Sequence, residues 1–250
     1  TAVLSGFSIT NGSAAYGGGI NASNSSNPLL TNLIVQGNHA NSYGGGVYLY
    51  TNSDAIIRNT VISGNTSNDD GGGINCNNSN PSLENVTIIG NNASGYGGGI
   101  SCNSGSPSLV NVTISGNTAG TGGGIHCNNF SVSLISSIMW GNSPDEINLS
   151  SGGVIATYSN IQGGWEGEGN IDSDPLFIDA ANGDYRLSDY SPAIGAGTAT
   201  GAPTTDITGV PNSRPMPAGS NPDIGAYENA LGSPSAPPVP TNLAATVGNG

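Results

Sequence analysis

Five glycine triplets begin at Gly17, Gly44, Gly71, Gly97 and Gly122, at steps of 27, 27, 26 and 25 residues. The third and fourth copies are nearly identical. Gly71-Gly72-Gly73-Ile74-Asn75-Cys76-Asn77 leads into Pro81-Ser82-Leu83-Glu84-Asn85-Val86-Thr87-Ile88-Ile89-Gly90-Asn91, and Gly97-Gly98-Gly99-Ile100-Ser101-Cys102-Asn103 leads into Pro107 through Asn117. A fixed period of this size restricts a chain to stacked equivalent units, each burying its apolar face only against its neighbours. Glycine at this density disfavours helix, and the apolar positions alternate as strands require. The expected fold is all-β: a parallel β-helix, or solenoid, of coils of about 26 residues over positions 1–142, followed by an irregular C-terminal capping region over 143–229. Residues 6–12 match the end of a coil whose start is missing, so the chain reads as part of a longer protein.

Aligning the units on Asn38, Asn65, Asn91, Asn117 and Asn142 exposes the inward ladders. Ile9, Val35, Ile62, Ile88, Ile114 and Met139 form one; Ile20, Val47, Ile74, Ile100 and Ile125 form another; Leu30, Ile57, Leu83, Leu109 and Leu134 form a third. Ala22, Leu49, Cys76, Cys102 and Cys127 form a fourth, so the three cysteines substitute for aliphatic residues and belong one above another in the core. Asn32, Asn59, Asn85 and Asn111 recur at a strand-to-turn corner, where stacked amides can hydrogen-bond along the axis. The glycine triplets fit a second corner that needs positive φ or close backbone approach. Arg58 and Glu84 share an outward ladder in adjacent coils, which predicts a cross-strand ion pair.

Three basic residues stand against 16 acidic ones, for a net charge of −13, which excludes nucleic acid as a partner and disfavours anionic lipid. No apolar run is long enough to cross a bilayer. Flanking the cysteine ladder, the outward residues Tyr48, Tyr50, Asn75, Asn77, Ser101, Asn103 and His126 predict a flat, uncharged strip facing solvent. Amides and aromatic rings in such a strip suit a polysaccharide or surface glycan. The neighbouring face carries Ser8, Ile34, Val61, Thr87, Thr113 and Ile138, a Thr-bearing column whose poor regularity leaves ice binding a remote alternative. Catalysis would need paired acids, or an acid and a base, at one sugar bond. The residues available for that are Asp54, Asp69, Asp70 and His126.

After Asn142 the text changes to WGNSPDEI, TYSNIQGGW, GNIDSDPLF, GDYRL, SPAIGAG and DIGAYE. These stretches resemble the C-terminal part of bacterial secreted right-handed parallel β-helix proteins of the pectate-lyase-like superfamily, in the choice-of-anchor Q group. The resemblance implies a right-handed helix in an extracellular or cell-surface bacterial protein of several domains, and it implies no settled activity. Where that group usually has Asp in SPAI-Asp-AG, this chain has Gly195. DPLF and SPAI mix turn formers with apolar anchors, as a segment closing the open end of a solenoid would. Asp172, Asp174, Asp179, Asn182 and Asp184 form a dense oxygen-ligand set, a candidate calcium site. No other cofactor is expected. Positions 230–240 read as a Pro/Ser-rich linker, and 241–250 as the start of a fibronectin type III-like domain, so flanking domains of the same chain are expected partners.

Two functional classes follow. The leading expectation is a non-enzymatic module for adhesion, display or glycan contact, because the repeats are filled with ladder residues and are poor in catalytic groups. The second is a polysaccharide lyase or glycoside hydrolase on the same fold.

Overall fold

The computed structural model describes residues 2–235, so the 241–250 segment and the end of the linker lie outside it. The repeats form three parallel sheets wound into a β-helix of about six coils, one sheet per side. A six-stranded sheet joins Ile20–Ser23, Val47–Tyr50, Ile74–Asn77, Ile100–Asn103, Ile125–Asn128 and Ile147–Leu149. An 11-stranded sheet includes Ile56–Ser63, Ser82–Ile89 and Ser108–Ser115, and a short four-stranded sheet closes the third side. Register is residue-for-residue: Ile62, Ile88, Ile114 and Met139 pair in sequence, as do Cys76, Cys102 and Cys127. The inward ladders therefore fill one continuous core, with the three thiols free and buried in it. Arg58 meets Glu84 at 3.4 Å, as their shared ladder predicts.

The glycine triplets serve both purposes expected of them. Gly71 has φ +68°, and a Cβ on Gly73 would lie 2.6 Å from the Gly99 carbonyl of the next coil. The long strands bend at Asn59, Asn85 and Asn111, whose φ values of 47°, 52° and 51° are left-handed. Asparagine tolerates that region better than other residues with a side chain.

The asparagine ladder runs elsewhere than expected. Along the bend series only Asn85 reaches its neighbour, Asn59, at 3.2 Å. The continuous ladder consists of Asn38, Asn65, Asn91, Asn117 and Asn142. Each Nδ2 donates to the next coil's Oδ1 at 2.8–3.0 Å, and that same Oδ1 also accepts the preceding asparagine's backbone N–H. All the amides point the same way, so the last one needs an acceptor. Glu146 supplies it, its carboxylate taking both the backbone and side-chain N–H groups of Asn142. Burial raises the Glu146 pKa, against the pull of these donors.

The C-terminal residues close the end of the solenoid and then continue beyond it, with Ile171 pairing on the last rung at Ser159 and Ile161. Gly152–Thr157 and Asn160–Ile161 add the last rungs, and Trp165 packs on the core at that end. The chain then returns along the side of the solenoid. A hairpin of Phe177–Asp179 and Asp184–Leu187 leads into a second small core of Leu187, Ala193, Ile194 and Ile224 against Ile138. Asn85 donates to the Thr205 carbonyl at 2.8 Å, Asn111 to that of Asp223 at 3.0 Å, and Ala226 N–H to Thr113 Oγ1 at 3.1 Å. Thr113 is buried under this segment, and Thr87 and Ile138 of the same column are buried as well, whereas Ser8 and Ile34 stay exposed. Gly195 sits at φ +66°, where a Cβ would lie 2.4 Å from the Gly232 carbonyl, so a side chain in this place would be strained and would force the Gly232 backbone to shift.

A buried charge cluster fastens the returning segment. The Arg214 guanidinium bonds the carbonyls of Asp223 and Gly225 and pairs with Glu228 at 3.0 Å. Asp223 accepts the N–H groups of Gly195 and Asn229, and buried Asp206 accepts that of Glu228. One cation thus faces three carboxylates out of water. Glu228 shifts upward despite its ion pair, because the loss of hydration outweighs the guanidinium. Burial, with Glu228 alongside, raises Asp223 from 3.8 to about 7.

Two predictions follow from these contacts. Asn117→Ala removes four hydrogen bonds inside the core and should cost about 3 kcal/mol or more in chemical denaturation. The folded protein also holds the Asp223 proton more tightly than the unfolded chain does. Stability should therefore fall as pH rises from about 4 through about 7, and Asp223→Asn should flatten that slope in melting curves recorded across the range.

Candidate functional site

The six-stranded sheet does not present a flat strip. Its outward residues form two columns: Asn21, Tyr48, Asn75, Ser101 and His126 in register, and Ser23, Tyr50, Asn77, Asn103 and Asn128 beside them. A third column rises from the turn ahead of the sheet: Tyr16, Tyr43, Asp70, Tyr96 and Thr121, each immediately preceding a glycine triplet. The left-handed glycine that follows folds this residue back beside the first column. At Gly44 a Cβ would lie 2.8 Å from Tyr48 Cβ, and at Gly71 one would lie 2.7 Å from Asn75 Cβ. Tyr48, Asn75, Ser101 and His126 are consequently buried, which corrects their reading as solvated residues. Tyr48 at one end and Ser101 with His126 at the other line two clefts that follow one another along the solenoid axis, here called the groove, with Tyr50 and Asn77 beside the first and Asn103 beside the second.

At the first coils the groove is aromatic. Tyr16 stacks on Tyr43 and Tyr48 with ring centroids 5.9 and 5.4 Å apart, and Tyr48 stacks on Tyr50 at 5.8 Å. Tyr16 and Tyr50 remain 45% and 42% exposed, so ring surface is open to a ligand. These rings, with Asn21, Ser23, Asn24 and Asn77, border a cleft of about 490 Å³. Burial pushes the Tyr48 hydroxyl up to about 12, which keeps it protonated.

Farther along the axis, Asp70, Tyr96, Ser101, Asn103, His126 and Asn128 border a second cleft of about 200 Å³. Asp70 Oδ1 accepts the Tyr96 N–H at 2.9 Å, and the Tyr96 ring lies 4.5 Å from the His126 ring. His126 Nδ1 meets Asn148 Oδ1 at 3.1 Å. Burial raises the Asp70 pKa and lowers that of His126, so the two shift toward each other. His126 has no carboxylate neighbour within its own ladder; the turn column brings Asp70 into its cleft.

The remaining candidates are dispersed. Asp69 lies beside Tyr43, whose hydroxyl it raises chiefly by charge. Asp54 lines neither cleft and accepts the Asn80 N–H at 2.6 Å in an exposed turn. Of the calcium set, Asp172 accepts from Gly163, Asp174 from Leu176, and Asp179 from Asn182, while Asp184 pairs with Arg186 at 2.6 Å. Each serves its own turn, and among the described residues no three His, Cys, Asp or Glu side chains gather as a metal site. Sequence reasoning missed Tyr16, Tyr43 and Tyr96. The available signal was an aromatic residue recurring directly before a glycine triplet.

Residues 1–119 match the family model described as "Right handed beta helix region". The repeat is a right-handed β-helix. Residues 111–128, which include Ser115, the fifth triplet and His126, match the model of the Chlamydia polymorphic membrane protein repeat. No curated protein and no solved structure matches the chain.

The chain has two histidines, so the His126 imidazole can be followed by NMR titration. It should titrate below 6.5, and Tyr96→Ala, which uncovers the ring, should move the midpoint back up toward that value.

Proposed function

We propose that this β-helix is a glycan-contacting module of a secreted or cell-surface bacterial protein. The observation that carries the reading is the axial groove, with two open tyrosine faces over a wall of amides. Sugar rings present apolar faces that stack on tyrosine and hydroxyls that pair with amides, and the groove offers both within one cleft. The short match to a repeat of a Chlamydia polymorphic membrane protein supports a surface location, as does the resemblance of the C-terminal motifs to secreted, anchored β-helix proteins.

One observation favours the second reading, a glycoside hydrolase or polysaccharide lyase. Asp70 and His126 border the same cleft with pKa values displaced toward each other, as an acid and a base working near neutral pH require. The two readings separate in one experiment. The intact protein is screened on a glycan array, and its ligands are then assayed for new reducing ends. The module reading expects binding without turnover, with Tyr50→Ala weakening the binding about tenfold. Turnover by the intact protein that Asp70→Asn abolishes would establish the enzyme instead.

A further inference from the structure

The charge of the groove carries a further inference, which rests on the glycan reading. All three basic residues of the chain are committed elsewhere. Arg58 pairs with Glu84, Arg186 with Asp184, and Arg214 is buried against Glu228. Within the groove the one side chain able to become cationic is His126, and burial lowers its pKa, which favours the neutral ring. The formal charge that lines it is the carboxylate of Asp70, and that of Asp69 stands beside Tyr43 on the same turn. The tyrosine floor stays protonated, and the other lining groups are amides and hydroxyls, among them Asn21, Ser23, Asn77, Asn103 and Asn128.

A uronate or sulfated chain entering such a groove would surrender hydration at each acid group, meet no counter-charge and approach two carboxylates. A neutral glycan loses nothing by that arrangement. The groove also has a repeat of its own. Its columns run in register from Ser23 to Asn128, and parallel strands stack at ~4.8 Å, so the two clefts lie on about 19 Å of aligned columns with equivalent positions at every coil. A ligand that is itself an extended repeat, aligned with the axis, can renew its contacts coil by coil.

We propose that the groove takes an uncharged linear glycan lying along the solenoid axis and rejects acidic polysaccharide. Isothermal titration of the intact protein with cello-oligosaccharides, manno-oligosaccharides, chitosan oligosaccharides and oligogalacturonate, each at low and high salt, tests this. The expected result is binding of a neutral oligosaccharide with an affinity that salt leaves unchanged, at least about tenfold tighter than oligogalacturonate at low salt. Asp70→Asn keeps the acceptor for the Tyr96 N–H and removes the charge; it should narrow the discrimination by raising oligogalacturonate affinity. Equal or tighter binding of oligogalacturonate by the unaltered protein overturns the inference. So does a chitosan oligosaccharide that outbinds the neutral chains at high salt. If no oligosaccharide of any charge binds, the glycan reading itself falls, a result distinct from a reversed preference.

Discussion

Everything in this molecule depends on residue-for-residue stacking of one coil on the next. Backbone hydrogen bonds run along the axis in all three sheets, and inside them the Asn38-to-Asn142 ladder repeats the bond with side-chain amides. A buried amide with an unmet donor or acceptor is costly, so each asparagine is satisfied only if its neighbour sits in the same register. A slip between coils would break the ladder and move core residues to the wrong side of the sheet. Glu146 completes the series by accepting the last donor, and its burial explains its raised pKa.

Fixed register also makes the groove. Because side chains at one position of every coil align, any residue type placed there becomes a column, and three neighbouring columns become a channel. Left-handed glycine at the head of each triplet sets the third column, folding the preceding tyrosine or aspartate toward the sheet. The same economy that builds a core from repeated aliphatics therefore builds a ligand surface from repeated polar and aromatic residues. The groove varies along its length only where the repeat varies: tyrosines at the first coils, Asp70 in the middle, His126 toward the end.

The C-terminal third works differently. It has no repeat, and it is held by a second apolar core and by the buried cluster around Arg214. Asn85 and Asn111 bend the strands in left-handed conformation and then spend their amides on this returning segment instead of on each other. A cluster with more carboxylates than cations is a conditional fastening, since its stability depends on how many of the acids are protonated.

The sequence by itself determined the β-helix, its inward ladders, the stacked cysteines and the Arg58–Glu84 pair. Those features follow from a period and an alternation, which local chain geometry converts directly into which residues stack and which point inward. Tertiary structure alone decided which asparagine series would bond along the axis, because both series recur with the same spacing and only their placement inside or outside the core distinguishes them. It decided likewise that the strip beside the cysteines is the floor of a groove, and that Asp70 joins His126 across two coils. It kept TYSNIQGGW and GNIDSD at the end of the solenoid and sent SPAIGAG and DIGAYE along its side. Each of these depends on where a turn aims a side chain, or where a distant segment lands, and neither is written in a repeat.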